Sequence, residues 1–294
     1  MRISKKLQVL IELKKQFDSL KVGKDSLLTI LEEVELAESV YNSNAIENST
    51  LTLPDTEKIL LDLEVSKNYS LREVFEAKNL ARVQEYIEKR RSTITLTRET
   101  VLFLHGLLIG GIDDSIAGRF RKQGEFVRVG RHVAPAPEHV LRLIEVLLHE
   151  YVSDHTSDLL KKIAHFHLQF ETIHPFCDGN GRIGRVLINL QLQAYGYPPL
   201  IIRNTEKHQY YKTFSKFRDA ASTKELEIIL YRAIAEGLHK RIAYMSGSSI
   251  LTLAEYAKKN NASLTNFINS GRRQTIPAFR EKGVWKIGAD TELK

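Results

Sequence analysis

The sequence predicts a mainly α protein: a helical bundle, interrupted by one short β-hairpin and followed by a small C-terminal domain. Three observations predict it. Apolar residues recur at helical spacing through most of the first 244 residues, first as Leu7, Leu10 and Ile11, then as Leu27, Leu28, Leu31 and Val34, then as Ile59, Leu60 and Leu63. Residues 124–133 instead alternate in character and are bounded by Gly and Pro, which is a hairpin pattern. Residues 246–249 are small and polar between two periodic regions, which marks a linker.

Taken in order, the spacing predicts helices over 71–87, 98–108, 137–151, 159–173, 181–195, 206–221 and 225–244. Pro137-Glu138 is a usual first-turn signal for the third of these, and Gly196 closes the fifth. Beyond the linker, 251–259 and 263–269 read as two short helices around an Asn-Asn turn, and 279–287 as two short strands. The chain shows no internal repeat and no low-complexity tract.

With 294 residues, 43% of them hydrophobic, the chain can bury a substantial core in one large domain plus an appendage. Its longest apolar stretches fall far short of the roughly 18 residues that span a bilayer, and the N-terminus lacks the uninterrupted apolar core of a signal peptide. We therefore expect a soluble, cytoplasmic protein with no membrane partner. The one cysteine, Cys177, can form neither an internal disulfide nor a thiolate cage. The formal charge is +7; residues 245–294 hold eight Lys or Arg against four acids, a net of +4, so the excess gathers at the C-terminus.

The chemistry is concentrated in the run His174-Pro175-Phe176-Cys177-Asp178-Gly179-Asn180-Gly181-Arg182-Ile183-Gly184-Arg185. Two glycines at the head of a helix let backbone N–H groups approach a ligand closely, and the helix start with its dipole makes an anion site suited to polyphosphate. Arg182 and Arg185, three apart, can reach one ligand from one face. Asp178 is a hard oxygen ligand beside that site, the usual means of holding Mg²⁺ with phosphates completing the shell. His174, at the preceding helix end, is of a type that takes a proton at neutral pH. Phe176 reads as core packing. His165 and His167 lie two apart on a predicted helix, so they point to different faces and make a poor metal pair.

The run matches HPFxDGNGRxxR at every specified position, and the chain thereby resembles the Fic family from about residue 43 to residue 211. The resemblance implies a Fic-type helical bundle with a short β-hairpin flap, acting as a nucleotidyltransferase that moves AMP from ATP, with Mg²⁺, onto a Ser, Thr or Tyr hydroxyl of a target protein or of itself. It implies that His174 deprotonates the hydroxyl, that Asp178 holds the metal, and that Gly179, Asn180, Gly181, Arg182, Ile183, Gly184 and Arg185 line the phosphate site. Residues Val127, Arg128, Val129, Gly130, Arg131, His132 and Val133 resemble the flap that docks target and nucleotide by strand addition. Tyr210 and Tyr211 resemble the aromatic step beside the adenine. Ser43, Asn44, Ala45, Ile46, Glu47 and Asn48 match the family's inhibitory pattern, which opens on Ser43 and sets Glu47 against Arg185 in competition with the ATP γ-phosphate.

The segment after residue 250 resembles small winged helix-turn-helix domains of the excisionase and MerR type, with Arg272, Arg273 and Arg280 as the phosphate contacts to test on DNA. The expected organisation is thus an N-terminal helical region, 1–95, carrying the inhibitory motif at 43–48; a catalytic domain, 96–245; and a winged-helix-like domain, 250–294. ATP and a hydroxyl-bearing target are the expected partners, with a homodimer and duplex DNA as further candidates. Two other readings stay open: removal of AMP in the same site, and a DNA-binding regulator whose catalytic domain modifies its own chain.

Overall fold

Short polar side chains begin most of the helices. The side chains of Ser4, Thr52, Ser70, Thr97 and Asp158 each accept a hydrogen bond from the amide three residues on, the N-cap arrangement worth about 1 kcal/mol apiece. The computed structural model describes residues 4–64, 68–91 and 93–291. Among these the chain forms α1 (Lys5–Leu20), α2 (Asp25–Ile46), α3 (Leu53–Leu60), α4 (Leu71–Lys89) and α5 (Arg98–Ile109), then the hairpin strands β1 (Arg128–Val129) and β2 (His132–Val133). There follow α6 (Pro137–Ser153), α7 (Leu159–Ile173), α8 (Asn180–Ala194), a short 3-10 turn, α9 (Lys207–Ala220) and α10 (Lys224–Met245). The C-terminal unit holds β3 (Ile250–Thr252), α11 (Leu253–Lys259), α12 (Leu264–Arg273), β4 (Ala278–Glu281) and β5 (Val284–Gly288). The fold is mainly helical with small antiparallel sheets, as the periodicity predicts, and the seven helices expected over 71–244 appear within two residues of their predicted ends.

Two apolar cores share α2, α7 and α8. Leu80, Leu104, Ile144, Phe166, Phe170 and Leu187 belong to a core under α4, α5 and α6, whereas Leu10, Leu168, Ile188, Leu192, Leu230 and Leu238 belong to a second under α1 and α10. Helices α7 and α8 contribute to both, so α8 is buried along nearly its whole length. The loop 174–179 joins these two helices, so both of its ends are anchored in buried structure. The hairpin is shorter than its sequence pattern, with Arg128 opposite Val133 and Val129 opposite His132.

The C-terminal unit has its own small core of Leu253, Tyr256, Ala278 and Ile287, and its antiparallel sheet runs in the order β3-β5-β4. Strand β3 is an addition to the sequence reading; it forms because the chain leaves the turn at Gly247 and enters directly beside β5. The unit does not hang from a free linker. It is fastened to α10 by Arg280 on Glu236 at 2.7 Å, by the Tyr244 hydroxyl on Glu281 at 2.7 Å and by His239 with Gln274 at 2.8 Å.

This corrects the expectation for Arg280. Its guanidinium is engaged by Glu236 and Glu206 and lies over Trp285, whereas Arg272 and Arg273 stay exposed at the end of α12. Residues 292–294, including Glu292 and Lys294 of the charge count, lie outside the described residues, as do 1–3, 65–67 and 92 of the N-terminal region. No helix among the described residues is long and apolar enough to cross a membrane.

Candidate active site

Helix α7 ends because His174 turns into the left-handed region, at φ 49°, and α8 begins because Gly179 does the same, at φ 79°. Between them the loop is stapled by its own side chains. Asn180 accepts from the Phe176 amide at 2.9 Å and donates to the Phe176 carbonyl at 2.8 Å. Phe176 is fully buried and stacks on His105 with ring centroids 3.7 Å apart, which bears out its packing role. His105 in turn accepts from the Gly118 amide and donates through Nε2 to the Asp178 carbonyl, both at 3.0 Å. Burial holds that ring neutral, pulling it down to about 4.

Arg121 clamps the other end, donating to the carbonyls of His174, Glu125 and Pro135 and so tying the loop to the base of the hairpin. His132 fastens β2 to α7 through the Thr172 carbonyl at 2.8 Å. Sequence reasoning missed His105 and Arg121: their roles are long-range hydrogen bonds, which leave no periodic or motif signal.

His174 is mostly enclosed, and burial pulls its imidazole down to about 4, so it is neutral at pH 7 and able to accept a proton. Burial alone would raise the Asp178 carboxyl, but Arg182, the Gly179 amide and Arg72 outweigh it and keep the group ionised. Arg72, from the first turn of α4, closes a ring of charges: it meets Asp178 and Glu76, and Arg182 meets the same two acids at 3.3 and 3.2 Å.

The structure redistributes several residues expected along the phosphate site. The Asn180 side chain is consumed in the loop, and the Ile183 side chain is fully buried in the core. Gly184 faces away from the loop, toward His167 and Glu171. Arg182 and Arg185 serve different acids rather than one. Tyr210 is 0% exposed, its hydroxyl paired with His167 Nε2 at 2.7 Å, and so presents no face to a base; Tyr211, 39% exposed, does. His165 and His167 diverge as their spacing requires, the first toward Glu150 and the second toward Tyr210.

Arg185 is where the upstream motif arrives. Its Nε donates to Ser43 Oγ and its NH2 to the Ser43 carbonyl, both at 2.9 Å, and NH2 also meets Glu47 Oε1 at 2.9 Å. Glu47 stands just past the end of α2, and its carboxylate lies where a side chain on Gly181 would collide with it. Gly181 is in the first turn of α8, so the missing Cβ that opens the helix start to an anion also admits this carboxylate.

A family model described as Fic/DOC family matches residues 95–192. Residues 95–192 are thus similar to Fic domains. Over 206 residues, 65% of the chain, the sequence is 31% identical to the protein adenylyltransferase Fic of Drosophila virilis and 32% identical to that of Drosophila yakuba. The chain spans about two fifths of the length of these curated relatives, 42% and 41%. Among solved structures, a Fic domain-containing signaling protein from Bacteroides thetaiotaomicron superposes with a TM-score of 0.73 at 25% identity, over 82% of this chain and 97% of the other. Fic-1 from C. elegans superposes at 0.69 and 25%, over 81% and 70%. A Fic family protein from Desulfovibrio desulfuricans shares the fold at 0.68 and 22% identity, over 100% of this chain and 99% of the other.

Proposed function

We propose that the Fic domain transfers AMP from ATP to a hydroxyl of a protein and is held off at rest by Glu47. The observation that carries this reading is the Glu47 carboxylate on Arg185, lodged at the start of α8 where the loop geometry provides an anion seat. The relatives named protein adenylyltransferase support the reaction class.

The residues present fit a divalent ion. Mg²⁺ takes one or two carboxylates and leaves its other positions to water and phosphates, and Asp178 offers one ionised carboxylate at the mouth of the seat. No group of three or more His, Cys, Asp or Glu side chains among the described residues forms a closed cage, which accords with an ion shared with the nucleotide. When bound, the ion would neutralise phosphate charge as the leaving group departs.

The protein's own part is positioning. The amides at the start of α8 and the freed Arg185 guanidinium orient the phosphates, and Arg182 stands against Asp178. Neutral His174 takes the proton of the acceptor hydroxyl as its oxygen bonds to the α-phosphorus, and pyrophosphate leaves. The hairpin, held to α7 by His132, offers strand edges beside the loop for a target backbone. The test is AMP transfer by the full chain carrying Glu47→Gly: labelling from ATP that rises in this variant and disappears when His174→Ala is added supports the reading, and no labelling in either rejects it.

A further inference from the structure

Behind the candidate base lies a group of buried polar atoms that the proposed reaction has not used. His174 Nδ1, Glu171 Oε1 and His167 Nδ1 are each buried without a hydrogen-bond partner. His167 and Glu171 lie one turn apart on one face of α7, and His174 caps the end of that helix. Glu171 Oε2 lies 3.8 Å from His174 Nδ1. On its other side, Glu171 Oε1 and the His167 ring occupy the space that a side chain at Gly184 would claim, and His167 is braced by the Tyr210 hydroxyl at 2.7 Å. A buried carboxyl with an unpaired oxygen is costly, and such groups concentrate where a site uses them.

We propose that Glu171 is the positioning residue of His174: its carboxyl oxygen accepts the proton on Nδ1 and so fixes the tautomer whose Nε2 lone pair faces the acceptor hydroxyl. His167 and Tyr210 back the carboxyl, and Gly184 makes room for it. The inference rests on the AMP-transfer reading above. In that reaction the hydroxyl proton passes to Nε2 while the hydroxyl oxygen bonds to the α-phosphorus and the bond to the bridging oxygen breaks, releasing pyrophosphate. The Nδ1 proton stays between ring and carboxyl, so no further acid or base is needed. The 3.8 Å gap closes with a small side-chain rotation, and catalytic hydrogen bonds that are long without substrate commonly tighten with it.

The charge state agrees with the geometry. Burial pushes the Glu171 carboxyl up to about 8; Glu47 adds to the rise and Arg185 opposes it, so the group is mostly protonated while the brake is seated and still has a carbonyl oxygen to accept with. When Glu47 leaves Arg185, one cause of the rise goes with it, and in either protonation state a carboxyl oxygen remains free to accept from Nδ1. The groups facing Glu171 are His167 from its own helix and His174 just past that helix's end, Arg185 from α8, Glu47 just past the end of α2, and Tyr210 and Tyr211 from α9. The competing acceptor is the Glu171 main-chain carbonyl, which acts on the ring but leaves Nδ1 without a proper hydrogen bond.

The experiment uses the full chain carrying Glu47→Gly, with Glu171→Leu, Glu171→Gln or Gly184→Ala added, and reads kcat and KM for ATP together with the ¹⁵N signals of the histidine rings. Glu171→Leu should lower kcat on the order of 100-fold with KM for ATP within about twofold, and should remove the Nδ1–H signature of His174. Glu171→Gln keeps a carbonyl oxygen and should restore most of kcat and the signature. Gly184→Ala, by displacing the carboxyl, should resemble Glu171→Leu. Unchanged kcat and an unchanged ring signature in Glu171→Leu would overturn the proposal and leave the main-chain carbonyl as sole holder of the ring. A Glu171→Gln variant as slow as Glu171→Leu, with the ring signature intact in both, would also overturn it. If the Glu47→Gly parent transfers no AMP, the functional reading fails on that result, and the ring signals still decide whether Glu171 holds His174.

Discussion

Replacing Glu47 by glycine removes one carboxylate from a guanidinium that is 7% exposed, while the carboxylate itself is 36% exposed. A hydrogen bond to a charged group contributes about 1.5–3 kcal/mol, and the partial solvent access of Glu47 places this one in the lower half of that range, at about 2 kcal/mol. Arg185 is not orphaned by the change, because Ser43 still receives two of its hydrogen bonds. Most of the energy therefore appears as a changed competition between carboxylate and phosphate rather than as lost stability. At about 1.4 kcal/mol per factor of ten, AMP transfer at limiting ATP should rise about 30-fold. Incorporation of label from ATP measures the rate, and calorimetric titration with a non-hydrolysable ATP analogue measures affinity. Equal rates and equal affinity in wild type and Glu47→Gly would show that the ion pair does not compete with nucleotide, and the reasoning from the shared seat would fall.

The remaining predictions concern the base, the loop and the C-terminal unit. Because burial lowers the His174 pKa from 6.5 to about 4, its proton-accepting form is present above pH 4 and lost below it; kcat/KM of Glu47→Gly should show no limb near 6.5, and His174→Ala should abolish transfer while ATP still binds in a titration. Phe176→Ala removes the fully buried ring that stacks on His105 and should cost about 3–5 kcal/mol by denaturant unfolding. Arg280→Ala leaves Glu236 with Arg203 as its remaining cation and should cost about 3 kcal/mol; an unchanged melting temperature would mean that the C-terminal unit is not held by this pair.

The tie between that unit and the rest of the molecule runs further than α10. Arg203 is shared between Glu38 of α2 and Glu236 of α10, and Lys240 between Glu35 of α2 and Glu281 of β4. The helix that presents Glu47 is thus held by the same buried charges that dock the C-terminal unit. Nothing in the spacing of these residues announces it, because the partners of each ion pair lie on elements far apart in the chain.

What the sequence determined by itself was of two kinds. Helical periodicity placed the long elements, since a helix that buries one face must repeat its apolar residues every three to four positions. The run from His174 to Arg185 pointed to its proposed chemistry because glycine at a helix start opens backbone amides to an anion, with a carboxylate and two guanidinium groups beside them in the sequence. The tertiary structure decided what depends on residues distant in the chain. It spent the Asn180 side chain on the loop rather than a ligand, buried Tyr210 against His167, and turned Arg280 inward. It also set Glu171 behind His174 and brought Glu47 across more than a hundred residues onto Arg185. Hydrogen bonds and ion pairs act over a few ångströms of space, and the chain brings their partners together only when its apolar faces have packed.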